Sequence, residues 1–101
     1  MPNTPTLPQL PEDAELLRIH FLDRELDLAE TLIDLARSEL NQGNRQRAIQ
    51  LFRRADEGLV TVRRLLRVLA WTDHQLRLTE RLEQIADSAA TMRAALNTRK
   101  A

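Results

Sequence analysis

The sequence predicts an all-α fold: a three-helix antiparallel bundle, up-down-up, with long helices. Three observations predict it. The first is a ladder of apolar residues whose steps alternate between 3 and 4, and it recurs three times. It runs Ile19, Leu22, Leu26, Ala29, Ile33, Ala36, Leu40; then Ala48, Phe52, Ala55, Leu59, Val62, Leu66, Leu69; then Leu78, Leu82, Ile85, Ala89, Met92, Leu96. That spacing keeps side chains on one stripe of an α-helix. The second is composition. The hydrophobic 43% is mainly Leu and Ala, aromatics are 3%, Tyr is absent and Gly occurs twice, which suits helices and opposes strands. The third is the shortness of the breaks between ladders, which forces consecutive helices to fold back on each other.

The elements follow in order. Residues 1–10 form a Pro-rich leader and residues 11–101 the bundle. Pro2, Pro5, Pro8 and Pro11 recur every third residue, the period of polyproline II. A PxxP ligand is one reading. No basic residue precedes Arg18, so an extended leader touching the bundle through Leu7 and Leu10 is preferred. Helix 1 is expected from Pro11 or Glu12 to Leu40, with Glu12, Asp13 and Glu15 at the positive end of its dipole. Gly43 suits a left-handed cap and Asn44 a cap for the next helix. Helix 2 is expected over 44–70, with Gly58 marking close approach by a neighbour or a bend. Thr72-x-x-Gln75 reads as a capping box, and Trp71 with Leu76 as a hydrophobic staple. Helix 3 follows over about 73–97.

Charge excludes more than it assigns. Lys and Arg number 15, Asp and Glu 15, so net charge is zero, which argues against a dedicated nucleic-acid binder. The absence of Cys removes disulfides, thiol nucleophiles and thiolate metal sites. No apolar run approaches the roughly 18 residues of a membrane span, and the N-terminus lacks a signal-peptide layout. The expectation is a cytoplasmic protein. Lys100 is the sole Lys, which fits a GC-rich bacterial coding sequence. Charge is also divided by helix. Residues 12–40 hold nine acids and three Arg, net −6, whereas residues 44–69 hold seven Arg and two acids, net +5. An acidic first helix beside a basic second one favours that pairing.

Residues 29–60 read AETLIDLARSELNQGNRQRAIQLFRRADEGLV. Leu32, Leu35, Ala36, Gly43, Ala48, Phe52 and Ala55 stand at spacings that resemble one tetratricopeptide repeat. Glu39 occupies a place where that family usually has an aromatic, and no Pro stands near Val60. The chain holds one copy where a solenoid needs roughly three, so the resemblance implies a repeat-like hairpin within a bundle. Domains of the microtubule-interacting-and-trafficking type share such a hairpin. What the resemblance implies is a protein-binding scaffold.

The search for chemistry finds no active site. His20 and His74 begin helices at the same end of an up-down-up bundle, with Asp23, Asp73 and Glu80 nearby, but two His without a Glu-x-x-His pair make a poor metal signal. Asp23, Asp27, Glu30 and Asp34 share a stripe that reads as a solvated outer face. No Gly-rich phosphate loop exists, and no Ser or Thr has a base partner. No enzyme, cofactor or small-molecule substrate is expected.

The expected function is a non-enzymatic interaction module that self-associates. Leu17, Phe21, Leu28, Leu32 and Leu35 form a second stripe on helix 1, and Leu51 and Leu65 add to helix 2. Part of this closes the core. Ile49, Val60 and Val68, with Ala86, Ala90 and Ala94, are left over as the interface expected between copies. Arg53, Arg63, Arg64 and Arg67 form a ridge, with Arg47 and Arg54 on the other flank, suited to helix 1 or to an acidic protein partner. The alternative is a nucleic-acid-associated regulatory module that uses this ridge.

Overall fold

The three ladders become the buried faces of three helices. The computed structural model of the chain describes residues 6–69 and 72–98. They fold as α1 (Thr6–Asn41), α2 (Arg45–Leu66) and α3 (Thr72–Thr98), an all-α three-helix bundle with no strand among the described residues. Every ladder residue except Leu40 is buried in one continuous core, and Leu32 joins them. Leu40 is half-buried and packs against that core. The contacts set the topology. Phe21 shares a cleft with Leu65, and Leu28 shares one with Gly58 and Arg54, so α2 runs antiparallel to α1. Arg77 and Arg81 meet Asp23 and Asp27 in rising order, so α3 runs parallel to α1.

The first break is as the sequence requires. Gly43 has φ +87°, a conformation that costs a residue with a Cβ about 1–2 kcal/mol. The Asn44 N–H donates to the Glu39 carbonyl at 2.8 Å and the Gly43 N–H to the Leu40 carbonyl at 3.0 Å. This crossed pair of bonds is a Schellman cap. One expectation changes here. Asn44 stands at the N-cap of α2 but makes no side-chain cap bond. Its amide nitrogen instead donates to Glu39 Oε1 at 2.7 Å, tying the turn to the end of α1.

The remaining boundaries differ from expectation for local reasons. The α1 helix begins at Thr6, so residues 6–10 are helical and not an extended leader. Pro8 falls in the first turn, where a missing N–H breaks no helical bond. Pro2 and Pro5 lie outside the described residues. The α2 helix ends at Leu66, short of residue 70, because Arg67, Val68 and Leu69 bond to carbonyls three residues back. That tightening satisfies the last carbonyls while keeping Leu69 in the core. Gln75 donates its amide to the Leu66 carbonyl at 2.7 Å and joins the end of α2 to the start of α3, while the Thr72 side chain of the expected capping box lies outside the described residues. Leu76 is exposed, and Trp71, its expected staple partner, lies outside the described residues.

Candidate interaction surfaces

The charged side chains show which flank of α1 meets α3, and therefore which faces are left open. The acidic stripe of α1 is largely exposed, as the sequence suggests, with the Asp27, Glu30 and Asp34 side chains 67%, 59% and 66% exposed, and it is also paired across to α3. Arg77 reaches both carboxylate oxygens of Asp23 at 3.1 Å. Arg81 pairs with Asp23 at 3.5 Å, with Glu30 at 3.4 Å, and with Asp27. Burial disfavours the Arg81 charge, but the hydrogen bonds and attraction of Asp27 and Glu30 outweigh it and raise its pKa. Asp34 pairs with Arg37 on its own helix. The partner of the acidic helix is thus α3, and the expected pairing of α1 acids with α2 arginines is absent among the described residues.

That outcome leaves the α2 ridge uncompensated. Arg53, Arg63, Arg64 and Arg67 are exposed, and none of them forms an ion pair among the described residues. Arg63 and Arg67 line a cleft between α2 and α3 with Gln75, Thr79 and Glu83. Farther along, Arg93 of α3 bonds Asp56 at 2.9 Å and lies 5.2 Å from the centre of the Phe52 ring. Arg45 donates to the Leu96 carbonyl and caps that side of α3.

The surplus apolar surface lies elsewhere than the sequence suggests. Ile49 is not left over: it is half-buried and packs against the core, in a cleft with Phe52 and Leu96. Val60 and Val68 are exposed. Ala86 is half-buried, and Ala90 and Ala94 are exposed. On α1, by contrast, only Leu32 of the second stripe enters the core. Leu17 is 69% exposed, Phe21 44%, Leu28 44% and Leu35 47%. The wheel explains this. These four lie about 100–140° from the Leu22 direction, and the ion pairs to α3 hold the opposite flank.

These residues line one side of the hairpin, the side away from α3. Leu17, Phe21 and Leu65 border an apolar hollow of ≈ 220 Å³. Leu28, Leu32 and Gly58 border a second hollow of ≈ 310 Å³, with Glu25, Arg54 and Glu57 at its rim. Leu51 and Leu65 of α2 pack against the core, half-buried, at heptad spacing from Gly58. Gly58 has a different role from the one expected. A Cβ built there would meet only Glu25 Oε1, at 3.6 Å, so no neighbouring helix needs the glycine. It leaves a notch in the wall of the cleft. Sequence reasoning found these side chains but could not say which stripe the bundle would bury.

Among the described residues, no group of three or more His, Asp or Glu side chains is placed to hold a metal ion. His20 is exposed and His74 half-buried. Glu15 is buried and receives Arg18 at 3.1 Å. No described helix is long and apolar enough to cross a membrane. Comparison with protein-family profiles, with curated proteins and with solved structures finds no match to this chain.

Proposed function

We propose that this chain is a non-enzymatic helical interaction module that self-associates through the open side of its α1/α2 hairpin. One observation carries the reading: an apolar row at heptad spacing on α1, roughly half exposed, beside the half-buried leucines of α2. Rows of this kind are covered by another helix when a further copy or partner is present. The test is sedimentation equilibrium at about 10–100 μM, where an interface of this size is expected to form a dimer. Leu28→Glu with Leu35→Glu is expected to give a folded monomer, since both side chains project from the core. A wild-type chain that sediments at 11.7 kDa throughout overturns the reading.

A second reading is favoured by the unpaired arginines. The exposed ridge of Arg53, Arg63, Arg64 and Arg67 has the character of a phosphate-binding surface. No aromatic interleaves it, which disfavours single-strand stacking. Under the primary reading, labelled duplex and single strands show no sub-micromolar anisotropy change at about 100 mM salt. Tight binding with a steep salt slope, lost in Arg63→Ala with Arg67→Ala, favours the second reading instead.

A further inference from the structure

Independently of association through the α1/α2 face, we propose that the groove on the other side of α2, between α2 and α3, binds a partner helix that carries carboxylates along one flank.

Two hollows lie in line along this groove. Arg63, Arg67, Gln75 and Thr79 border one of ≈ 320 Å³ near the connection between the two helices. Ile49, Arg53 and Arg93 border a second, of ≈ 280 Å³, toward the far end. From Ile49 to Arg67 the α2 helix rises about 27 Å, which is about five turns. The middle of the groove is apolar. Val60 is 47% exposed and falls between Arg53 and Arg67 on the helical wheel. Arg63 shares its hollow with Glu83, and Arg93 bonds Asp56, so Val60 stands level with Ala86 and Ala90 of α3. Ala86 is half-buried and Ala90 exposed. Side chains this small admit another helix at about 8–10 Å.

Charge selects the occupant. Five arginines border the two hollows, against Asp56 and Glu83, an excess of three cations. Two of the five are engaged: Arg93 with Asp56, and Arg45 with the Leu96 carbonyl. The other three, Arg53, Arg63 and Arg67, are exposed and form no ion pair among the described residues. All three stand on the α2 wall, whereas Glu83 and Asp87, both exposed, stand on the α3 wall. The groove is therefore cationic along one wall and acidic along the other. A helix that fits it sets carboxylates against α2, neutral or basic side chains against α3, and apolar residues at 3-and-4 spacing between them. A nucleic-acid strand meets both walls with phosphate and is repelled by Glu83 and Asp87. This asymmetry favours a helix over a polyanion.

Fluorescence anisotropy with labelled synthetic helices tests the assignment. The probe is a capped peptide of about three heptads, with Leu at 3-and-4 spacing, Glu along one flank and Gln along the other. At about 100 mM salt it is expected to bind the full chain with a Kd on the order of 10 μM, and the same peptide with Gln in place of Glu at least tenfold more weakly. Arg63→Glu with Arg67→Glu is expected to lose the Glu peptide and to bind one with Lys in its place, a gain that an unfolded chain cannot produce. Leu28→Glu with Leu35→Glu, on the opposite face, is expected to bind the Glu peptide as the wild type does. Equal affinity for the Glu and Gln peptides, or no binding at about 500 μM, overturns the groove assignment. So does a Glu peptide that binds the Arg63→Glu, Arg67→Glu chain unchanged. Labelled single-stranded DNA that binds more tightly than the Glu peptide, and is lost in that variant, overturns it in favour of a phosphate-binding surface. Sedimentation of the wild type decides self-association separately, so either reading can fail without the other.

Discussion

The two glycines show how one residue type serves two purposes. Gly43 is held at φ +87°, and a Cβ added there would meet nothing within 4 Å, so its constraint is purely backbone. Gly58 is helical, and a Cβ added there would make an ordinary contact with Glu25 Oε1 at 3.6 Å. The same substitution therefore has opposite signs. Gly43→Ala is expected to cost about 1–2 kcal/mol through left-handed strain. Gly58→Ala is expected to gain about 0.5–1 kcal/mol through helix propensity. Urea unfolding of both variants, at a concentration where the chain is monomeric, checks the contrast. Equal signs would show that the Gly58 wall is tighter than its geometry indicates. Gly58 thus lowers helix stability while leaving a notch in the wall of the α1/α2 cleft.

At the scale of elements, Arg81 ties α3 to one flank of α1. Its side chain is 27% exposed and gathers Asp23, Asp27 and Glu30. Those acids are spaced along α1 by 4 and 3, so one guanidinium on the neighbouring helix can reach all three. Single exposed pairs contribute little, but a shared cation links several. Arg81→Met keeps the stem packed and removes the charge. It is expected to lower stability by about 1 kcal/mol at low salt, with the cost shrinking near 1 M salt as screening removes what the wild type had to lose. Unfolding curves at two salt concentrations check this. A cost independent of salt would assign the role of Arg81 to packing alone. The boundaries between elements follow similar local chemistry: Gln75 holds the Leu66 carbonyl, and Asn44 holds Glu39.

At the scale of the whole molecule, three seams close one thin core and leave one side of the α1/α2 hairpin uncovered. Under the proposed self-association, the copy that covers that side adds to the stability of the fold, because association stabilises the folded state by mass action. The melting temperature is therefore expected to rise by several degrees between about 5 and 500 μM, and the rise is expected to vanish in Leu28→Glu with Leu35→Glu. Circular dichroism at matched concentrations checks it. A concentration-independent melt in the wild type would remove self-association as a source of stability.

The sequence by itself determined the helices, their order and the core. Each ladder residue but Leu40 is buried, because a 3-and-4 spacing admits one burial direction per helix. Gly43 was legible as a cap because only glycine adopts its conformation cheaply. What only the tertiary structure decided is which flank of each buried stripe a neighbouring helix covers, and with it the candidate site. The second stripe of α1 and the leftover residues of α2 were equally plausible as core or surface in one dimension. The acids of α1 meet Arg77 and Arg81 of α3, Leu17, Phe21, Leu28 and Leu35 lie exposed on the opposite flank, and Ile49 packs inward against the core. Charge totals per helix could not reveal this, because an ion pair forms between positions that meet at the same height and angle, and those are fixed only when three helices pack together.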